Sequence, residues 1–123
     1  MRSSRTRPPR SSSWRRLGPE AERRVRRHYR LRGYRILAVN AWAGGYELDV
    51  VARRGRTVVV GEVKARTGSG YGDPLEAVGQ EKARRVRRAA EAWLAQHPEL
   101  AGLDVRLEAV AVHGRWISRA AFD

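Results

Sequence analysis

The sequence contains no cysteine. Disulfides, thiolate zinc sites and cysteine nucleophiles are excluded at once, and the composition fits a reducing, cytoplasmic compartment. No apolar run approaches the roughly 18–20 residues of a membrane span. With 32% of residues charged, no membrane partner is expected. Acid is scarce: 13 Asp and Glu stand against 26 Lys and Arg, a net charge of +13. Lysine is scarcer, confined to Lys64 and Lys82, and the other 24 basic residues are arginines. The 123 residues, 41% of them hydrophobic, suffice for one domain with one modest core.

What is abundant is arginine. Its planar donor fork matches phosphate oxygens, so an arginine-rich chain of this charge points to nucleic acid as partner. Codon bias would inflate arginine without implying a partner. It does not explain why the acids are outnumbered two to one.

Residues 1–16 hold six arginines, five serines and two prolines, no acid, and Trp14 as the one large apolar side chain besides Met1. Such a segment cannot bury enough surface to fold, which predicts a disordered basic tail. No apolar stretch follows its charges, so it does not read as a secretory signal; its Arg/Ser composition also suits an organelle transit peptide. Residues 17–123 keep 20 bases against 13 acids, still about +7, and form the expected domain.

Within that domain, Ala21, Val25 and Tyr29 recur at helical spacing over Pro19–Arg32, with Pro19 at the first helical position and Gly33 as the stop. Tyr34–Asn40 reads as a strand and Ala43-Gly44-Gly45 as a turn. Tyr46–Arg53 and Thr57–Arg66 read as a hairpin around Gly55. Gly68–Gly72 is a flexible loop. Asp73-Pro74 opens a long helix to about Gln96, with Leu75, Val78, Val86, Ala89, Ala90 and Trp93 on one stripe. Val105–Val112 is a further strand, and Arg115–Ala120 a short edge strand. The order αβββαβ predicts an α/β domain with a central mixed sheet flanked by two helices.

The hairpin carries the chemistry. A two-residue loop of Gly55 and Arg56 sets Arg54 opposite Thr57, Asp49 opposite Glu62 and Glu47 opposite Lys64. Period-two alternation then puts Glu47, Asp49, Glu62 and Lys64 on one face. A four-residue loop keeps that face; a bulge does not. Both strands are otherwise apolar on both faces, and charges there need compensation. A divalent cation such as Mg²⁺ or Mn²⁺ provides it. Mg²⁺ takes oxygen ligands and is commonly held by one or two carboxylates. Asp49 and Glu62 supply these, the Val63 carbonyl a third oxygen, and Lys64 a fixed cation that orients water or offsets phosphate charge. The competing reading is an edge hairpin of solvated salt bridges.

Glu22 lies on the inner edge of the first helical stripe, and Lys82 takes an apolar position in the second. Each is either directed at the carboxylate cluster or a boundary residue with its charge in solvent.

Glu22, Gly33-Tyr34, Asn40, Glu47-Leu48-Asp49, Glu62-Val63-Lys64 with Arg66, Gly72, Lys82 and the strand Arg106–Val112 stand in the order and spacing of the YraN-like family. These small bacterial proteins are regarded as restriction-endonuclease-like (PD-(D/E)xK) and similar to archaeal Holliday junction resolvases. The resemblance covers about Gly18–Val112. It implies a restriction-endonuclease-like core in which Asp49 and Glu62 are metal ligands, Lys64 the catalytic lysine and Glu22 the helix acid completing the site. Ala21 stands where the family usually has Gly, Gly61 where it has a bulky apolar residue, and Glu108 where it has Asp. Gly61 is expected to loosen the strand beside Glu62.

Other chemistries find little support. His28, His97 and His113 are far apart and in no ligand spacing, no Gly-Lys-Ser/Thr phosphate loop is present, and no serine triad is placed. Trp93 and Trp116 read as core. Trp42, in its Ala-Gly turn, is the exposed aromatic for base stacking, with Arg53, Arg66 and Lys82 as phosphate contacts. The expected function is a metal-dependent endonuclease acting on DNA, in particular branched or structured DNA. The resolvase resemblance implies a homodimer. The rivals are a non-catalytic nucleic-acid-binding module on a degenerate nuclease fold and a ribosome- or RNA-associated basic protein with structural carboxylates.

Overall fold

The computed structural model describes residues 14–65, 79–114 and 116–122. Residues 1–13 of the basic tail, Arg66, the Gly68–Gly72 loop and the Asp73-Pro74 helix start lie outside the described residues. Two helices and five strands follow in the order α1 (Trp14–Leu31), β1 (Arg35–Ala43), β2 (Tyr46–Arg54), β3 (Thr57–Ala65), α2 (Gln80–Ala95), β4 (Asp104–His113) and β5 (Trp116–Ala121). A single turn of 3-10 helix, Pro98–Leu100, precedes β4. The sheet order is β1-β2-β3-β4-β5. All neighbours are antiparallel except β3 and β4, which run parallel. A parallel pair cannot be closed by a tight turn, and the connection that carries α2 makes this crossover.

α1 breaks at Gly18, whose φ of 83° is not helical, so the regular helix starts at Pro19 as its sequence predicts. Residues 14–16, assigned to the tail from composition, form a helical turn ahead of that break. At the other end Gly33 (φ 89°) takes the left-handed position that stops a helix. There the N–H of Gly33 donates to the Arg30 carbonyl and that of Tyr34 to the Tyr29 carbonyl, each at 3.0 Å.

The helices cover opposite faces of the sheet. α1 buries Val25 and Tyr29 against Val50, Ala52, Val59, Val63, Val110 and Val112. α2 buries Val86, Ala89, Ala90 and Trp93 against Leu48, Val51, Val58, Val60 and Leu107. Each fully buried Val or Leu contributes about 1.5–3 kcal/mol, so the central strands, apolar on both faces, anchor the domain. Trp93 is core as predicted, and His97 stacks on it with ring centroids 3.8 Å apart. Trp116 is not core. It opens β5, the edge strand of the sheet, with 73% of its surface exposed.

The hairpin register is the predicted one from Arg54↔Thr57 to Val50↔Gly61. Beyond it, alternation slips. Val39 and Val50 pair and face α1, yet the next matched pair, Ala41 and Leu48, faces α2. Two residues on, the same face should have returned. The slip falls on Asn40, whose φ of 55° is left-handed, and on Asp49 across from it. Asparagine tolerates that conformation better than other non-glycine residues. Tyr46 and Leu48 therefore pack toward α2, and Glu47 between them turns to the α1 side. The expectation that Glu47 shares a face with Glu62 and Lys64 is corrected by this bulge-like slip.

Candidate functional site

The slip separates β2 from β3 where the hairpin charges lie. The ladder ends at Val50↔Gly61, and the Val63 N–H, two residues farther along β3, donates to Asp49 Oδ2 at 2.7 Å. The Asp49 side chain thus takes over a backbone acceptor's role at the fork between the strands. Asp49 is buried, at 1% exposure, and its bond to Val63 holds it one residue from Glu62.

Glu62 is also 1% exposed and points to the α2 side. Its Oε2 collects three partners. Lys82 Nζ of α2 lies at 3.1 Å and Lys64 Nζ, two residues along β3, at 3.7 Å. The Tyr46 hydroxyl donates to it at 3.2 Å. Burial raises the Glu62 pKa from its ordinary value, against the charge of Lys82 and the hydrogen bonds from Lys82 and Tyr46. The same arrangement pushes the Tyr46 hydroxyl far above its ordinary range: burial acts first, then the charge and hydrogen bond of Glu62 and the charge of Asp49.

Lys82 is therefore directed at the carboxylate cluster, the inward reading of its place in the helical stripe. Glu22 sits on α1, half-buried, with Arg26 Nη1 3.9 Å from its Oε1. Among the described residues no three acidic or histidine side chains group to hold a metal ion, so Glu22 does not form a triad with Asp49 and Glu62. Arg53 is half-buried, and its Nε donates to the Gly55 carbonyl at 2.8 Å. Trp42 is 39% exposed, as an accessible stacking surface requires. Arg66 lies outside the described residues.

Two features escaped the sequence. Tyr46 is one: in an unbroken hairpin it faces away from Glu62, and only the slip brings its hydroxyl to the carboxylate. The other is a second buried carboxylate on the α1 side, Glu108, at 1% exposure. Arg119 of β5 grips it with a fork, Nε to Oε1 at 2.8 Å and Nη2 to Oε2 at 3.2 Å, and the Tyr29 hydroxyl donates to Oε1 at 2.9 Å. The legible signal was a charge inside the apolar run 107–112.

Gly61 belongs to this second cluster. A Cβ there would lie 2.8 Å from Val50 Cγ1, 3.1 Å from Val110 Cγ2 and 3.2 Å from the Tyr29 hydroxyl. The glycine does not loosen the strand; it makes room for the Tyr29–Glu108 hydrogen bond.

The comparisons with known proteins fit this architecture. The family described as "Uncharacterised protein family UPF0102" matches residues 21–112, which includes α1 from Ala21, all of β1–β3, α2 and most of β4. A UPF0102 protein of Parafrankia sp. is 42% identical over 98 residues, 80% of this chain and 82% of the relative. One of Synechococcus sp. is 39% identical over 108 residues, 87% of this chain and 82% of the relative. One of Acidothermus cellulolyticus is 48% identical over 81 residues, 66% of this chain but only 61% of the relative's length. On the matched span and these identities, the chain belongs to the UPF0102 family.

Proposed function

We propose that the protein is a metal-dependent endonuclease with a restriction-endonuclease-like core, hydrolysing phosphodiester bonds in DNA, in particular branched or structured DNA. The observation that carries this reading is the buried Glu62 carboxylate drawing Lys64, Lys82 and Tyr46 to one oxygen, one residue from the Val63 N–H that fixes Asp49. A buried carboxylate that recruits two ammonium groups marks a position where positive charge is required. Two carboxylates and the Val63 carbonyl are hard oxygen donors, and one or two carboxylates suffice for Mg²⁺ or Mn²⁺. The donor set therefore fits such a cation at Asp49, Glu62 and Val63.

When bound, the cation supplies polarisation of water and of a phosphate oxygen. The chain's own groups do the rest. Val63 N–H orients Asp49, and Tyr46 orients Glu62. Lys64 offsets charge on the phosphate in the transition state. Glu22, which the family resemblance makes the helix acid of the machinery, sits on α1 across the sheet from Glu62, so its part in the reaction is tested separately by Glu22→Gln in the cleavage assay below. Arg53, Arg66, Lys82 and Trp42 contact the nucleic acid, and the active species is a cytoplasmic homodimer.

One observation favours a second reading, a binding module on a degenerate nuclease fold. Lys82 and Lys64 already neutralise Glu62 without a cation. A branched-DNA cleavage time course with Mn²⁺, run beside a gel-shift titration, separates the two. Under the nuclease reading Glu62→Gln abolishes cutting and Lys64→Ala reduces it by about 10²–10³, while both variants bind DNA nearly as wild type does. Equal trace cleavage by wild type and Glu62→Gln replaces the enzyme with the binding module. Loss of binding in both variants makes the hairpin charges structural.

A further inference from the structure

The outer face of α1 carries an open groove lined by Arg23, Arg24, Arg26, Arg27 and Arg30. Ala21, Val25 and Tyr29 take the buried stripe of the same helix, so its other side is the one left to solvent. At the start of the row Glu20 lies 3.3 Å from Arg23, and Glu22 lies 3.9 Å from Arg26. Arg24 is held as well: its Nη1 donates to the Gly114 carbonyl, in the β4–β5 turn, at 2.6 Å. Arg27 and Arg30 are exposed and form no ion pair among the described residues. No acid occurs from Arg23 to Arg32.

α2 is built differently. Arg84 and Arg85 lie 3.1 and 3.5 Å from Glu81, and Glu91 is exposed on the same helix. Codon bias would load both helices with arginine alike; it does not strip the acids from one of them. Like charges three and four residues apart repel along a helix, so the outer face of α1 is self-repelling until an anion covers it.

The chain itself supplies no such anion here. Residues 1–16 carry six arginines and no acid, and a second copy in an isologous contact would set the same face against itself. An anionic membrane is poorly matched. An interfacial helix sinks an apolar face into the lipid, and the apolar stripe of α1 is already packed on the sheet. Nor does an aromatic side chain line the groove among the described residues, so an unpaired base finds no stacking platform there. What the groove offers is charge in a straight row. Arg23, Arg27 and Arg30 run about 10 Å along the helix axis, the length over which one strand of a duplex presents about three phosphates.

We infer that this face is a second nucleic-acid surface, on which Arg23, Arg27 and Arg30 hold the phosphate backbone of a duplex without regard to sequence. Phosphate contacts position a ligand and carry no base information. Glu62 faces α2 across the sheet, so a duplex held here leaves the carboxylate cluster open to another arm of a branched ligand. The inference rests on the proposed function only in taking DNA as the ligand; it does not need cutting.

The test is fluorescence anisotropy of the full chain with labelled duplexes of two unrelated sequences, in EDTA, over a salt series. Arg27→Ala with Arg30→Ala should flatten the slope of log K against log salt by about 1.8, two contacts at about 0.9 each, equally on both sequences. Both positions are exposed and alanine is the best helix former, so this variant keeps its fold. Arg27→Lys with Arg30→Lys should restore the wild-type slope, since a phosphate accepts the point charge as well as the fork. The control removes the same charge from α2: Arg84→Ala with Arg88→Ala, at exposed positions on the far side of that helix from Lys82. It should leave the slope unchanged. An unchanged slope in the α1 variant, or equal flattening in the α2 variant, overturns the inference. If the α1 variant keeps its duplex slope and loses binding to phosphatidylserine vesicles, the occupant is a membrane and the inference falls. EDTA removes metal chemistry from the assay, so a protein that never cuts DNA can pass this test and a working nuclease can fail it.

Discussion

The two buried glutamates of the sheet, Glu62 and Glu108, have the same ingredients and opposite designs. Each is 1% exposed, and each meets one tyrosine hydroxyl and two basic side chains. On the α1 side, Arg119 engages both oxygens of Glu108 and stacks over the Tyr29 ring at 4.7 Å. A planar fork of this kind is rigid and geometrically specific. On the α2 side, Lys64, Lys82 and Tyr46 all converge on Oε2 of Glu62. Ammonium groups are point charges on flexible stems, so they neutralise without locking. The Glu108 arrangement ties α1, β4 and β5 together. The Glu62 arrangement leaves a buried carboxylate whose partners can be exchanged, which a binding or catalytic site requires.

The difference breaks most visibly on the Glu108 side. Arg119→Ala leaves Glu108 buried without its fork, and removing one partner of a buried pair costs about 3–5 kcal/mol. Urea unfolding should show this as a lower midpoint with little change in slope. The matching change on the other side, Lys64→Ala, should cost far less, because Lys82 remains 3.1 Å from Glu62. Equal losses would erase the distinction between a lock and a replaceable set.

Gly61→Ala sharpens the same comparison from within. The new methyl must displace Val50, Val110 or the Tyr29 hydroxyl. Overpacking of this kind costs about 1–3 kcal/mol. Because Tyr29 is the ring that donates to Glu108, Gly61→Ala combined with Tyr29→Phe should cost less than the sum of the two single changes. Strict additivity would mean that the methyl strains only the valines.

The smallest effect is in the pH dependence of stability, where the two sides slope in opposite directions. Glu62, raised above 4.5 chiefly by burial, binds its proton more tightly folded than unfolded. Its contribution is full below about 4.5 and falls as pH rises through the folded value. His28, beside the Glu108 cluster, is lowered from 6.5 to about 4 by burial and by the charges of Arg32 and Arg119. Its contribution is full above 6.5 and falls as pH drops from 6.5 to about 4. His28 is half-exposed, so solvent screening leaves on the order of 1 kcal/mol or less. Urea unfolding from pH 4 to 7 should lose the alkaline fall in Glu62→Gln and the acid fall in His28→Gln.

The sequence alone determined what depends on near neighbours in the chain. The Ala21, Val25 and Tyr29 stripe set the buried face of α1, and the Gly55-Arg56 loop set the register as far as Val50↔Gly61. Both follow from fixed periods, 3.6 residues per helical turn and two per strand repeat. The basic excess was likewise legible as a surface property. Where Lys82 points was open in the sequence, since a residue at the edge of a stripe can turn either way, and the buried Glu62 carboxylate 3.1 Å away decided it.

Only the tertiary structure decided the slip at Asn40 and Asp49, because a left-handed residue inside a strand is set by what both strands pack against. That slip turned Glu47 away, brought Tyr46 to Glu62 and opened the ladder for Asp49. The Glu108 lock joins residues 79 apart in the chain, Tyr29 and Glu108, and no local period reports such a pairing. Trp116 reads as core in composition and lies in solvent in the fold, because burial depends on what covers an edge strand, and β5 ends the sheet.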